Sequence, residues 1–449
     1  MNFEIKNKHF VVVGLGKTGI AITRFLAQHG GNVTVSETSP LEKLKDRIRA
    51  LKDINFTIET GGHQKETFLS ADYIVVSPGI PLDLAVLNIA RNKGIPIIGE
   101  LDLVCPYLKA PIIAITGTNG KTTTVTLLGK ILKANGKNVW VGGNIGEPLI
   151  NAIEQKNLDY IVAEISSFQL ETTSNFHPWI AACLNVSEDH IDRHNDFNNY
   201  LHCKLKIFQH QKINDWSILE GDNKKLIDGV KRLNTKSQKL LFGLKKTYIP
   251  GAYLTEENII AELYEKWSLS IKDTRLLGRH NYKNIMATLL IAQITQCDFQ
   301  ITKEIIFSFP GLAHRLEWVR SLNGVSFYND SKATNVEATL CAIDSLGAPI
   351  VLIAGGLGKG QDFTPLGKLG TNKLKAVVVI GSAKREIAQS FKEIIPVVEA
   401  KTLEEAVKQA WELAKPKGNV LLSPACASFD MFKDFKERGR VFKRAVYEL

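Results

Sequence analysis

Short apolar runs alternate with amphipathic stretches along nearly the whole chain. Up to about residue 100, Phe10–Val13, Val33–Val35, Tyr73–Val76 and Ile95–Ile98 read as strands, with helical spacing over Ile20–Gln28 and Leu41–Leu51 between them. Strands that alternate with helices imply a parallel sheet covered by helices. The pattern restarts near Leu101, where Ile112–Ile115, Val139–Val141, Tyr160–Ala163, Ala181–Leu184 and Ser217–Leu219 read as strands. A more irregular region runs to about Phe309, and within it Tyr248–Ser270 has room for short antiparallel strands. After Phe309-Pro310-Gly311 a third series begins, with strands at Val325–Tyr328, Ile350–Ile353, Ala376–Ile380 and Val420–Leu422. The expected fold is α/β in three domains, 1–100, 101–310 and 311–449, without internal repeat or low-complexity linker. Domains joined so directly should be closely coupled, with ligands held between them.

The ends of these strands carry the chemistry. Ile112–Thr124 reads IIAITGTNGKTTT, an apolar run, a glycine loop and the start of a helix. Backbone N–H groups at such a turn face an anion, Lys121 adds a point charge, and the Thr122 hydroxyl is placed for Mg²⁺. The common loop spaces its glycines as G-x-x-x-x-G-K-[ST]; here Ile115 stands at the first glycine position and Gly117 lies three residues before Gly120, so the loop is a variant. Upstream, Gly14-Leu15-Gly16-Lys17-Thr18-Gly19 follows the first strand, and Glu37 ends the next. That spacing fits a dinucleotide fold, and equally any pyrophosphate or a turn that only packs helix on strand.

Glu164 lies just beyond Tyr160–Ala163, where ligands gather in open α/β sheets, and is either a Mg²⁺ ligand or a solvated loop acid. Asn185-Val-Ser-Glu188-Asp189-His190-Ile-Asp192-Arg193 follows the next strand, a concentration of ionisable groups suited to a metal or a carboxylate substrate. On a helical wheel over Phe197–His210, Lys204 falls on the apolar arc of Phe197, Tyr200, Leu201 and Phe208, while Lys206 points away. A lysine there must snorkel, pair with an acid or be modified, and burial would leave its amine nucleophilic. In the third series, His314-Arg315, Asp330-Ser331-Lys332-Ala333-Thr334-Asn335, Gly355-Gly356-Leu-Gly358-Lys359-Gly360 and Ser423-Pro-Ala-Cys-Ala-Ser428 supply Lys, Arg, Thr and Ser for an anion or dicarboxylate.

Composition narrows the class. A net charge of +10 on 449 residues suits anionic small molecules, and the basic residues are dispersed without an aromatic-interleaved block, which argues against nucleic acid. No apolar run approaches the roughly 18 residues of a membrane span, and MNFEIKNKHF has no apolar core of a signal peptide. Six scattered cysteines without a C-x-x-C pair point to reduced thiols and a cytoplasmic protein.

Thr116-Gly-Thr-Asn-Gly-Lys-Thr, the Glu164 and His190 motifs, His314-Arg315 and Asp330-Ser-Lys-Ala-Thr-Asn together resemble the Mur ligase family over essentially the whole chain. DSKATN, SPACAS and the first glycine motif resemble the branch that adds D-glutamate to UDP-N-acetylmuramoyl-L-alanine. The resemblance implies a Rossmann-like first domain for the UDP end, a central P-loop ATPase-type parallel-sheet domain for ATP and Mg²⁺, and a Rossmann-like C-terminal α/β domain for the amino acid, in a monomer. It implies that Gly14, Leu15, Lys17, Thr18, Glu37, Thr38, Ser77, Pro78 and Gly79 hold uridine diphosphate, and that Asn144 and Ser166 approach the muramoyl-alanine.

By the same resemblance, Gly117, Asn119, Gly120, Lys121, Thr122, Thr123, Asn281, Asn284, Arg315 and Asp330 surround ATP. Thr122 and Glu164 correspond to one Mg²⁺ site, and His190 with a carbamylated Lys204 to a second. Lys332, Thr334, Lys359, Ser428 and Phe435 match positions around D-glutamate, and Lys121, Lys204, His190 and Lys332 would carry catalysis. Two departures stand out: Glu37 replaces the family's frequent aspartate, and Leu357-Gly358 lacks the acid often present in that turn. The rivals are a ligase of the same or folylpolyglutamate type with another amino acid, an NAD-dependent dehydrogenase with an appended NTPase, and a non-catalytic nucleotide-binding regulator.

Overall fold

The computed structural model describes residues 4–369, 372–392 and 394–449. Three sheets are present, each built largely of parallel strands. The first comprises β1 (His9–Val13), β2 (Asn32–Glu37), β3 (Thr57–Thr60), β4 (Tyr73–Val76) and β5 (Ile97–Gly99), in the order β3-β2-β1-β4-β5. All its pairings are parallel, so the chain reverses its direction of winding beside β1. The crevice at that reversal is where such sheets bind ligands.

The second sheet contains β6 (Ile112–Thr116), β7 (Val139–Gly143), β8 (Tyr160–Glu164), β9 (Ile180–Cys183), β10 (Trp216–Glu220), β11 (Gln238–Gly243), β12 (Gly251–Leu254), β13 (Asn258–Glu262) and β14 (Lys266–Ser270). Their order is β14-β13-β12-β11-β10-β9-β6-β8-β7, and only the β12–β13 and β13–β14 pairings are antiparallel. The apolar run of β6 is buried at every position, as a strand covered on both faces must be. The third sheet holds β15 (Glu317–Leu322), β16 (Val325–Asn329), β17 (Ile350–Gly355), β18 (Leu374–Ile380), β19 (Val397–Glu399) and β20 (Gly418–Leu422), ordered β15-β16-β20-β17-β18-β19, with β15 antiparallel to β16.

Each expected apolar run overlaps a strand, and Tyr248–Ser270 holds a short antiparallel set. Unrecognised were the interior strand β11 and the edge strands β3, β15 and β19. β3 (TIET) has no apolar run, and β19 (VVE) is three residues long; neither has a fully buried residue. β8 also extends one residue further than the apolar pattern, which makes Glu164 its last residue and not a loop residue. The stretch Leu41–Leu51 forms a 3₁₀ turn, Leu41–Lys43, followed by the short helix Lys45–Arg49, in place of one continuous helix.

Two compact units emerge: Met1–Ser270 with Lys283–Ile306, and Ile271–Tyr282 with Phe307–Leu449. The first unit contains both the first and second sheets, joined by the helix Glu100–Val104, whose five residues are all buried. Asp102 anchors this junction by accepting hydrogen bonds from Thr173 Oγ1 (2.6 Å), Ser174 N (2.8 Å), Ser174 Oγ (2.7 Å) and Asn175 N (3.0 Å). Among the described residues no helix is long and apolar enough to cross a membrane.

Removing the Asp102 carboxylate leaves the buried Thr173 hydroxyl without its acceptor, while Ser174 and Asn175 are exposed and can turn to water. Asp102→Ala is expected to destabilise the first unit by about 2 kcal/mol, the cost of one buried donor left unpaired and the lost bonds of the others, read as a lowered midpoint in urea unfolding; an unchanged midpoint would refute the anchor.

Candidate functional site

The glycine loop after β6 is closed by its own side chains. Gly117 and Gly120 have φ of 153° and 84°, and a Cβ on Gly120 would stand 2.3 Å from Asn284 Oδ1, so this turn requires glycine. Gly120 opens the helix Lys121–Ala134, whose first turn has no acid, leaving its N–H groups and positive dipole end for an anion. Lys121 Nζ donates to the carbonyls of Gly117 (2.7 Å) and Thr118 (2.8 Å), while Thr123 is buried in the first turn. Asn119 is fixed by reciprocal bonds with Asn185, N–H to Oδ1 at 2.8 Å and Nδ2 to carbonyl at 3.0 Å.

Glu164, at the end of the neighbouring β8, reaches the same helix. Its Oε2 accepts from Thr122 Oγ1 and its Oε1 from Asn144 Nδ2, both at 2.8 Å. A hydroxyl and a carboxylate side by side at a phosphate loop form the hard-oxygen set that Mg²⁺ takes together with substrate phosphates. Among the described residues no three His, Cys, Asp or Glu side chains gather as a metal cage. Ser166 caps the helix Ser167–Glu171 and exchanges hydrogen bonds with Gln169.

Lys204 lies on the helix Phe197–Leu205 and is 1% exposed. The wheel therefore placed it correctly; it does not snorkel. Its Nζ donates to the Gly117 carbonyl at 2.9 Å and sits 4.6 Å from the centroid of the Tyr200 ring. Burial, reinforced by the Lys121 charge, lowers its pKa to about 7. Lys206 instead donates to the Glu171 carbonyl. His190, in a left-handed conformation, packs its ring at 5.0 Å from Phe168 and 6.4 Å from Tyr200, so it shares Tyr200 with Lys204.

Sequence reasoning missed two members of this cluster. Tyr200 OH meets Thr118 Oγ1 at 3.1 Å, and the buried His194 meets Ser167 Oγ at 3.1 Å and stacks on Phe168. In sequence Tyr200 stands only as part of an apolar helix face, and nothing in the spacing of His194 marks it.

At the crevice of the first sheet, Gly14 has φ of 88°, and Ser77 Oγ donates to its carbonyl at 3.1 Å. Glu37 accepts from Leu15 N (2.8 Å), Ser39 N (3.0 Å) and Thr38 Oγ1 (3.4 Å). Burial alone would raise its pKa, but these donors hold the carboxyl below the ordinary range. Thr18 lies in the first turn of the helix Lys17–Gln28, and Lys17 Nζ reaches the Gly146 carbonyl at 3.5 Å. The loop with Ser77, Pro78 and Gly79 ends at Ile80, whose carbonyl accepts from Arg193 at 2.6 Å. Arg193 also pairs with Glu171 at 2.7 Å, tying the His190 segment to the first glycine crevice.

The second unit gathers its own set. Asp330 accepts from Leu316 N and Ser423 Oγ, both at 3.0 Å, and burial raises its pKa to about 7 against those donors and the Arg315 charge. Lys332 Nζ lies 4.4 Å from the Phe435 ring centroid, and Lys359 5.7 Å from that of Phe429. Gln361 Nε2 joins the carbonyls of Thr334 (3.3 Å), Gly358 (3.2 Å) and Ala425 (3.2 Å). The Ser428 carbonyl accepts from Met431 N and Phe432 N. Where an acid was looked for, Leu357 instead pairs its backbone with Ala427.

Arg438, unmarked in the sequence, is buried beneath this set and donates to Ser331 and the Cys426 carbonyl. Asn281 belongs to this second unit and donates to the Leu277 carbonyl, whereas Asn284 belongs to the first.

Family comparisons agree with this layout. The Mur ligase MurD-like N-terminal domain matches residues 8–99, the Mur ligase middle domain 115–292, and the Mur ligase glutamate ligase domain 314–426. The chain belongs to the Mur ligase family. It is 42% identical over 447 residues to a UDP-N-acetylmuramoylalanine–D-glutamate ligase of Geobacter sp. (strain M21), covering 99% of this chain and 98% of that protein. A protein of the same name from Thermoanaerobacter sp. (strain X514) is 40% identical over 453 residues, covering 99% of each.

Among solved structures, the MurF ligase of Thermotoga maritima in complex with ADP aligns with a TM-score of 0.61 at 16% identity, covering 99% of both chains. A pseudomurein peptide ligase type C of Methanothermus fervidus aligns with a TM-score of 0.61 at 22% identity, covering 98% of this chain and all of that one. These two likenesses concern the fold.

The depressed Lys204 pKa has a direct readout. In protein carrying ¹³C-labelled lysine and kept free of CO₂ and bicarbonate, so that the amine is unmodified, one ε-carbon resonance, absent from Lys204→Arg, should titrate with a midpoint near pH 7; a midpoint in the ordinary lysine range near 10.4 would show that the amine is not desolvated as described.

Proposed function

We propose that this chain joins D-glutamate to UDP-N-acetylmuramoyl-L-alanine with cleavage of ATP to ADP and phosphate, a step of peptidoglycan precursor synthesis in the cytoplasm. One observation carries the choice of substrates: the relatives named for this reaction match essentially end to end at 40–42% identity. The site's chemistry supports the reaction type. In this reading residues 1–100 receive the UDP end through the Gly14 loop, Glu37, Thr38 and the Ser77 loop. Residues 101–310 hold ATP, and residues 311–449 hold D-glutamate through Lys332, Thr334, Lys359, Ser428 and Phe435.

An amide does not form spontaneously from a carboxylate and an ammonium in water, so the carboxylate needs a leaving group. The L-alanyl carboxylate oxygen attacks the γ-phosphorus, the bond to the bridging oxygen breaks, and ADP departs. The amine of D-glutamate, having lost its proton, attacks the acyl-phosphate carbonyl. The resulting tetrahedral centre collapses by expelling phosphate. Lys121, now satisfied by two loop carbonyls, exchanges them for phosphate oxygens and stabilises the charge that develops there. Asn144 and Ser166 orient the muramoyl-alanine, and Lys332 and Lys359 hold the amino acid's carboxylates.

One Mg²⁺ fits the donors present, at Thr122 and Glu164; a second, at His190 and Lys204, would require Lys204 to be modified. Mg²⁺ supplies charge neutralisation on the phosphates when bound. The second site needs Lys204 as an oxygen donor. A neutral amine adds CO₂ and loses a proton to become a carbamate, and burial favours that neutral amine.

Product analysis tests the reaction. ADP and phosphate should accumulate only when both UDP-N-acetylmuramoyl-L-alanine and D-glutamate are present in an amino-acid panel; another amino acid would move the chain to a sister specificity, and AMP with pyrophosphate would refute the acyl-phosphate route. Lys204→Ala should lose activity by about a hundredfold or more, the upper range for disturbing a metal site, and regain part of it with added short carboxylates; an unaffected variant would remove the carbamate.

A further inference from the structure

Glu100 is an acid without an assigned purpose. It begins the buried helix between the first two sheets and is 2% exposed. Among the described residues it has no cationic partner. A buried carboxyl without a counter-charge is costly unless hydrogen bonds satisfy it. Its contacts are donors from two different segments: Ile150 N gives to Oε1 at 3.1 Å, and Gln169 Nε2 gives to Oε2 at 3.3 Å.

Both segments lead to Glu164. Ile150 lies in the 3₁₀ helix Leu149–Ala152, which closes the segment that follows β7 and begins with Asn144. The Asn144 backbone N–H donates to the Glu164 carbonyl and its side-chain amide to the Glu164 carboxylate, each at 2.8 Å. Gln169 turns its other end to Ser166, two residues beyond Glu164, accepting from Ser166 N at 2.9 Å and Ser166 Oγ at 3.0 Å. The Gln169 amide is thus polarised: it must give to Glu100 in order to accept from Ser166. We propose that Glu100 is a positioning residue for the nucleotide–metal site, an acceptor hub that fixes the orientation of the Gln169 amide and the Asn144 turn and so sets the Glu164 carboxylate.

This inference rests on the reading of Glu164 as a Mg²⁺ ligand. Its test uses donor–acceptor polarity. Glu100→Gln offers one acceptor where two are needed, and its amide meets the Gln169 amide donor to donor. Gln169→Glu alone sets two carboxylates face to face. Combined, the two changes restore a donor–acceptor pair of reversed polarity, with the new carboxylate still able to accept from Ser166.

In the full-length chain, Glu100→Gln is expected to weaken Mg²⁺-dependent binding of a non-hydrolysable ATP analogue, measured by calorimetry, and to lower kcat, each by about tenfold. Gln169→Glu should behave alike, and the double variant should recover most of both losses. A Glu100→Gln protein with wild-type binding and kcat overturns the inference, as does a double variant no better than the poorer single one. If Glu100→Gln fails to fold, the double variant must regain the wild-type melting midpoint, and one that stays unfolded also overturns it. Failure of the wild type to use D-glutamate would strike the proposed substrates and leave the binding cycle intact.

Discussion

The carbonyl of Gly117 accepts from two lysines, Lys121 at 2.7 Å and Lys204 at 2.9 Å. Two ammonium groups drawn to one oxygen in a buried setting repel one another, and the group with less access to water yields its proton first. Lys204 is that group, since its pKa falls to about 7 with Lys121 as the second cause after burial. The arrangement keeps the loop closed by side chains of its own. It also places two different lysines on one oxygen: Lys121 at the start of a helix, and Lys204 buried with its pKa lowered to about 7.

The same economy of position recurs in all three sheets. Candidate functional side chains stand at or just beyond the carboxyl ends of β1, β6, β8, β9, β16, β17 and β20, where parallel strands leave a crevice. What differs is how each crevice is held ready. In the first sheet Glu37 is satisfied by backbone N–H groups of Leu15 and Ser39, which fixes the glycine loop in a shape open to a ligand. In the third, Asp330 bridges Leu316 and Ser423, and Arg438 clamps three carbonyl or hydroxyl groups under the loops. Both carboxylates receive donors, yet the more deeply buried one has its pKa raised and the other lowered. At Asp330 desolvation outweighs the hydrogen bonds, whereas at the less buried Glu37 the donors win.

Much of this was legible in the chain. The strand–loop–helix pattern around Lys121 required no tertiary knowledge, and the helical wheel put Lys204 on the apolar arc while leaving open whether it snorkels. The edge strands β3 and β19 were not legible, because at four and three residues, with no fully buried position, they show too little alternation to read. Glu100, His194 and Arg438 were missed for a different reason. Each is a polar residue whose meaning comes from distant partners: Gln169 for Glu100, Ser167 for His194, and Ser331 for Arg438. Local spacing says nothing about such pairings, and a buried polar side chain looks the same in sequence as an exposed one.

The turn at Leu357 shows how a departure from the family pattern is absorbed. Its backbone pairs with Ala427 in both directions, N–H to carbonyl at 2.9 Å and 3.1 Å, so the loop holds its position without an acidic side chain. A carboxylate there would stand close to Lys359 and compete with any anionic ligand for that charge. Lys359 Nζ lies over the face of Phe429, a contact that orients the side chain. The turn after β17 thus carries a lysine and no acid between Gly355 and Gly360.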